Sequence, residues 1–148
     1  VDLLIETHDA WTSSAHMLAV LEHVGRADVA CCWDLKHTYW TGKETPETTW
    51  QRLDGWVRNT HWKDVRRFRA PKETFGRDLS RDGLLCLAGE GIVPLADCYD
   101  LLTASGYDGW FTLEWEKHWH PHIEEPEVAF PKFVRCMHDL EARRSHEC

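Results

Sequence analysis

Four side chains able to ligate a hard cation recur along the 148 residues: Glu6, Asp34, His61 and Glu114. Asp34 follows Glu6 by 28 residues, His61 follows Asp34 by 27, and Glu114 follows His61 by 53. Each stands near the end of a strand-like run: VDLLIET, VACCWD, the stretch Arg58 to Lys63, and GWFTLE. Three carboxylates and one imidazole form an oxygen-rich set suited to Mn²⁺ or Mg²⁺, and Zn²⁺, Co²⁺ and Fe²⁺ accept the same donors. Taken singly, each residue reads equally well as a polar group where the chain leaves the core. Recurrence at one structural place is what singles out the set.

The elements that must position them alternate. After the first strand, Ser13 or Ser14 caps a helix with the stripe Met17, Leu18, Leu21 and Val24, and Gly25 stops it. VACCWD is a second buried strand. Thr45-Pro46-Glu47 starts a helix whose inner face is Trp50, Leu53 and Val57. The third strand, Arg58 to Lys63, has little apolar content and rests on its position. Val65 to Leu87 reads as a long loop, with a hairpin ending in LLCL. GEGIVPL then turns into a helix opened by Pro94, packed through Leu95, Cys98, Leu101 and Leu102 and closed by Gly106. GWFTLE is the fourth strand. Pro126 and Pro131 delay a last helix striped by Phe133, Val134, Met137 and Leu140.

Strand and helix thus alternate four times, which predicts an α/β fold with a parallel sheet and outer helices. Four (β/α) units are half of an eight-unit TIM barrel, so residues 1–148 read as one partial barrel domain. The chain opens inside its first strand, which predicts a fragment. In a parallel sheet every strand's C-terminal end lies at one rim, so the four candidate ligands converge there.

Composition narrows the chemistry. A formal charge of -8 without a basic run argues against a grip on nucleic acid. The one cationic cluster, Lys63, Arg66, Arg67 and Arg69, reads as a solvated face or as a hold for a small anionic or polyol substrate. Trp50 and Trp56 read as packing residues; Trp11, Trp33, Trp40, Trp62, Trp115 and Trp119 stand near strand ends, where they could wall a polar ligand. Six cysteines, Cys31, Cys32, Cys86, Cys98, Cys136 and Cys148, show no CxxC pair and no regular spacing, and the adjacent Cys31 and Cys32 in an apolar run suit buried thiols better than a disulfide framework. No leader and no apolar stretch of spanning length is visible, so a soluble cytoplasmic setting without a membrane partner is expected.

The segments LIETHD, WDLKH, HWKD, GEGIVPL and YDGWFTLEWE, in this order, resemble the C-terminal half of the sugar phosphate isomerase/epimerase family with the xylose isomerase-like barrel. The likeness runs from about Leu3 to Phe133. It implies that Glu6, Asp34, His61 and Glu114 bind one divalent metal, that His37 contacts substrate, and that Arg67 holds a substrate oxygen. Glu6 and Glu114 would remove and return a proton beside a carbonyl on a small ketose, polyol or related sugar, through an enediolate. A dehydratase of a cyclic polyol uses similar chemistry. Lys63 and Asp64 would orient His61. The family's N-terminal half is absent, which points to a homo-oligomer, with two copies completing the barrel.

Some readings stay open. Glu116, two residues past Glu114, shares its face in a strand and competes as the ligand. His8 and Asp9 read as pocket residues. His118, His120 and His122 read as solvated loop histidines, with metal binding as the sharper alternative, and GEG as a tight turn rather than a phosphate cradle. Two rival functions remain: a zinc-dependent endonuclease-type phosphodiesterase, and a non-catalytic half-barrel that functions only on assembly.

Overall fold

Short runs closed by polar residues form the four strands of the main sheet, the second of them buried throughout, and amphipathic segments between them become helices. A computed structural model describes residues 2–68, 73–74 and 77–147. In chain order it contains β1 (Leu3–Glu6), α1 (Ser14–Val24), β2 (Val29–Asp34), α2 (Pro46–Leu53), β3 (Val57–Trp62), β4 (Asp64–Arg66), β5 (Glu73–Thr74), β6 (Arg77–Asp78), α3 (Leu79–Asp82), β7 (Leu84–Cys86), α4 (Leu95–Ala104), β8 (Trp110–Leu113) and α5 (Pro126–Glu147). Val1, Arg69 and Cys148 lie outside the described residues.

The main sheet is parallel throughout, in the order β1-β2-β3-β8. This is a partial TIM barrel, as the alternation predicts. β2 is buried on both faces along its whole length, which explains its unbroken apolar run. Cys31, Trp33, Trp62 and Phe111 project toward the helices: Trp33 packs on Trp50 of α2, Trp62 on Phe133 of α5, and Phe111 on Tyr99 of α4. Trp33 and Trp62 are therefore core residues and not pocket walls, with their indole N–H groups donated to Thr38 and Thr60 at 2.9 and 2.8 Å. Cys31, Cys32, Cys86 and Cys98 are buried free thiols, as expected.

Local details depart from the sequence reading for identifiable reasons. Ser13 occupies the cap position of α1 without a side-chain bond; Glu44 instead accepts the Ser14 N–H at 3.1 Å. Val24 and Val134 end up on exposed helix faces. Val57 is buried, but it opens β3 rather than continuing α2. Pro126 starts α5, and Pro131 lies inside it. The N–H that Pro131 lacks would serve the Glu127 carbonyl, and both residues are exposed, so water meets that loss.

The excursion after β3 is a hairpin at its base, with β4 and β7 antiparallel. It carries α3 back to the rim, where Arg81 binds Asp9 at 2.7 Å. No described helix is long and apolar enough to cross a membrane.

Candidate metal centre

Strand register alone gathers the predicted ligands on one face. Glu6 pairs with Cys32, Asp34 with His61, and His61 with Thr112. Paired residues share a face, as do residues two apart, so Glu6, Asp34, His61 and Glu114 all project from the face opposite the helices. Asp34 and Glu6 end β2 and β1, His61 is the penultimate residue of β3, and Glu114 directly follows β8. One donor atom from each lies within 4.8 Å of all the others. Ligands around one divalent ion are spread over about 3–5 Å, so the set fits such an ion, and its three carboxylates favour a hard one.

His61 Nδ1 sits 3.0 Å from Glu6 Oε1 and 3.1 Å from Glu114 Oε2. Contact with the Cys32 thiol and with the Glu114 and Glu6 carboxylates pushes its pKa up to about 12. His61 thus bridges the carboxylates of Glu6 and Glu114.

Beneath the cluster lies Lys63, whose side chain has no exposed surface. Its Nζ stands 3.0 Å from Asp34 Oδ2, 2.7 Å from Glu114 Oε2 and 3.0 Å from Glu116 Oε1. Only Glu116 accepts an aligned hydrogen bond; Asp34 Oδ2 and Glu114 Oε2 are ion-paired without that alignment. Burial alone would lower the Lys63 pKa, but Asp34, Glu116 and Glu114 hold it above the usual lysine range. Burial pushes Asp34 upward against the pull of Lys63. In Glu114, His61 and Lys63 outweigh burial and keep the carboxyl ionised.

Glu114 and Glu116 also border a cavity of about 410 Å³ together with His8, Asp9, Lys36 and His37. A profile of the family described as xylose isomerase-like TIM barrel matches residues 1–137. The chain belongs to that family. It is 25% identical over 117 residues to an inosose dehydratase of Geobacillus thermodenitrificans (strain NG80-2), covering 76% of this chain and 36% of the relative. It thus spans about a third of the length of the curated relatives it matches. Among solved structures it resembles a xylose isomerase domain protein from Planctomyces limnophilus, with a TM-score of 0.71 and 22% identity, over 98% of this chain and 46% of that one. A D-tagatose 3-epimerase-like protein superposes with a TM-score of 0.60 and 14% identity, over 99% of this chain and 48% of that one.

Within this xylose isomerase-like frame the remaining expectations divide. His8 and His37 reach the cavity, their rings 4.2 Å apart. Burial, then the charges of Lys36 and Lys63, keep His37 neutral. Arg67 does not border this cavity. The chain after Lys63 enters the β4–β7 hairpin rather than extending β3, and Arg67 lines a separate cavity of about 500 Å³ with Tyr39, Trp40, Lys43 and Phe68. Lys63, expected at the substrate, is turned under the carboxylates instead.

Asp64 does not orient His61. Its carboxylate accepts the backbone N–H groups of Val65, Gly89, Gly91 and Val93 at 2.8–3.1 Å, so the GEG amides hold a side chain and do not cradle phosphate. At the last strand Glu114 groups with Glu6, Asp34 and His61, while Glu116 groups with His8 and His37. His120 is 2% exposed rather than solvated, with Nε2 3.0 Å from Glu116 Oε2. Its placement four residues after Glu116 was the available signal. Lys36, Thr12, Arg81 and Asp82 also border the cavity, and sequence reasoning missed them; the last two arrive on the excursion, which no local pattern reveals.

Proposed function

We propose that this chain is one partial barrel domain carrying the metal and proton-transfer groups of an isomerase or epimerase acting on a small ketose, polyol or related sugar. The observation that carries the reading is the meeting of Glu6, Asp34, His61 and Glu114 donors within 4.8 Å, from four separate strands. The proposed ligands are these four, and three carboxylates favour Mn²⁺ or Mg²⁺. When bound, the ion would supply Lewis acidity toward substrate oxygens. Glu6 and Glu114 come from the two outer strands, β1 and β8, and so flank the site. From those positions one carboxylate removes the proton beside the carbonyl, and the other returns it to the opposite face or to the neighbouring carbon. His8 and His37 face the substrate from the cavity wall, while Lys63 fixes the spacing of Asp34 and Glu114 from below.

A second reading is favoured by the relative named inosose dehydratase. The same proton abstraction, followed by loss of hydroxide from the next carbon, would release water from a cyclic keto-polyol. Nucleic acid fits poorly: the chain carries -8, and Asp9, Asp82, Glu114 and Glu116 line the cavity against Lys36 and Arg81. The buried free thiols suit a reducing compartment, and we place the protein in the cytoplasm. A working barrel would be completed by assembly, with a second copy of this chain as the partner.

The test is Glu114→Gln beside His61→Ala. Glu114→Gln is expected to abolish solvent-deuterium exchange into candidate ketoses while retaining more Mn²⁺ after dialysis than His61→Ala does. Exchange at the parent rate by Glu114→Gln would remove Glu114 from the reaction, and an enone product without exchange into recovered substrate would favour the dehydratase.

A further inference from the structure

We propose that the cavity holds a second divalent cation, of the zinc class, bound by His8, His37 and Glu116. The inference goes beyond the single-ion reading and uses none of its four ligands. One donor atom from each of these three residues lies within 4.8 Å of the others. Two imidazoles and one carboxylate match the donor set of zinc sites that keep an open position, unlike the carboxylate-rich group beside it.

An independent observation points to a missing ligand. His37 is 8% exposed and stands on the cavity wall, yet its Nε2 has no hydrogen-bond partner. Asp34 Oδ2 is 4.0 Å away, beyond a hydrogen bond. A buried imidazole nitrogen left bare is unfavourable, and coordination would offset that loss.

The residues around the three side chains are arranged as metal sites require. His8 Nδ1 faces Asp9 Oδ2 at 3.2 Å, and Asp9 is held by Arg81 at 2.7 Å, which leaves His8 Nε2 as its open nitrogen. A carboxylate behind a histidine fixes the tautomer and raises its basicity as a ligand. Glu116 is fixed from both sides, Oε1 by Lys63 at 3.0 Å and Oε2 by His120 at 3.0 Å. The ring of His8 lies 4.2 Å from that of His37 at an angle of 59°. His8, His37 and Glu116 all border the cavity, so an ion held by them would supply Lewis acidity toward a hydroxyl, carbonyl or carboxylate oxygen of the substrate. His8 and His37 then act on the substrate through this ion.

The test is metal stoichiometry of the full chain dialysed to equilibrium against Zn²⁺ and against Mn²⁺, with circular dichroism confirming folding. The parent is expected to bind two Zn²⁺ per chain, and His8→Ala and His61→Ala one each. Should His8→Ala unfold, Glu116→Gln replaces it with the same expectation. Asp9→Asn is expected to weaken one of the two sites by about 10–100-fold and to leave the other unchanged. Saturation of the parent at one equivalent, lost in His61→Ala and kept in His8→Ala, overturns this proposal and leaves the first site standing. One equivalent kept in His61→Ala and lost in His8→Ala does the reverse. Two equivalents in His8→Ala with unchanged affinity also overturn it.

Discussion

Lys63 Nζ lies within 3.0 Å of three carboxylates, with no side-chain surface in water. Removing it would leave Asp34, Glu114 and Glu116 buried or half-buried against one another. Breaking a buried ion pair from one side costs roughly 3–5 kcal/mol. Lys63→Met should therefore melt well below the parent in metal-free buffer and recover more of its stability than the parent does when Mn²⁺ is added. Equal melting temperatures without metal would show that Lys63 does not hold the cluster. At this scale the meeting of Glu6, Asp34, His61 and Glu114 was legible, because residue type and position repeat along the chain. The role of Lys63 was not: it lies just past β3, where strand alternation no longer dictates whether a side chain faces substrate or core. Nor was the cavity that Arg67 lines, since counting residues from His61 cannot show that the chain reverses into a hairpin.

The alternation of strands and helices could be read from local periodicity, as could the glycine ending α1, where Gly25 adopts φ 59°. Long-range fastenings could not. Glu44 secures the first turn of α1 from a loop 30 residues away, and it also accepts from Thr49 of α2 at 3.0 Å, tying two helix starts together. Asp64 does the same for the GEGIV turn, and the fit is close: a Cβ on Gly91 would come within 2.1 Å of Asp64 Oδ1. Four amide donors depend on that one carboxylate, which is 1% exposed. Asp64→Ala is expected to cost on the order of 3 kcal/mol or more, because unsatisfied buried N–H groups cost about 1–3 kcal/mol each. Asp64→Asn should lose less, since its remaining carbonyl oxygen still accepts. Urea unfolding of the two variants orders them, and parent-like stability of Asp64→Ala would contradict the role assigned to the cradle.

For the molecule as a whole, four strand-helix units were enough to place the fold, and the sheet order β1-β2-β3-β8 carries them as a barrel segment. Among the described residues the main sheet is open at both β1 and β8, with Leu3 63% and Trp110 80% exposed. Open strand edges present unpaired N–H and C=O groups that template pairing with another chain, and exposed tryptophan adds apolar area to that tendency. Closing the sheet would give the edge groups partners and cover Trp110, and the second copy proposed above would supply both. The chain is therefore expected to sediment as a two-copy particle at micromolar concentration. Trp110→Lys should shift it toward the single-chain mass, by placing a charge where the apolar contact forms, while leaving the rim-forming residues Glu6, Asp34 and His61 untouched. A single-chain mass for the parent at every concentration tested would rule out the two-copy barrel, and the Mn²⁺ content of that monomer would then show whether the four ligands suffice without a closed sheet.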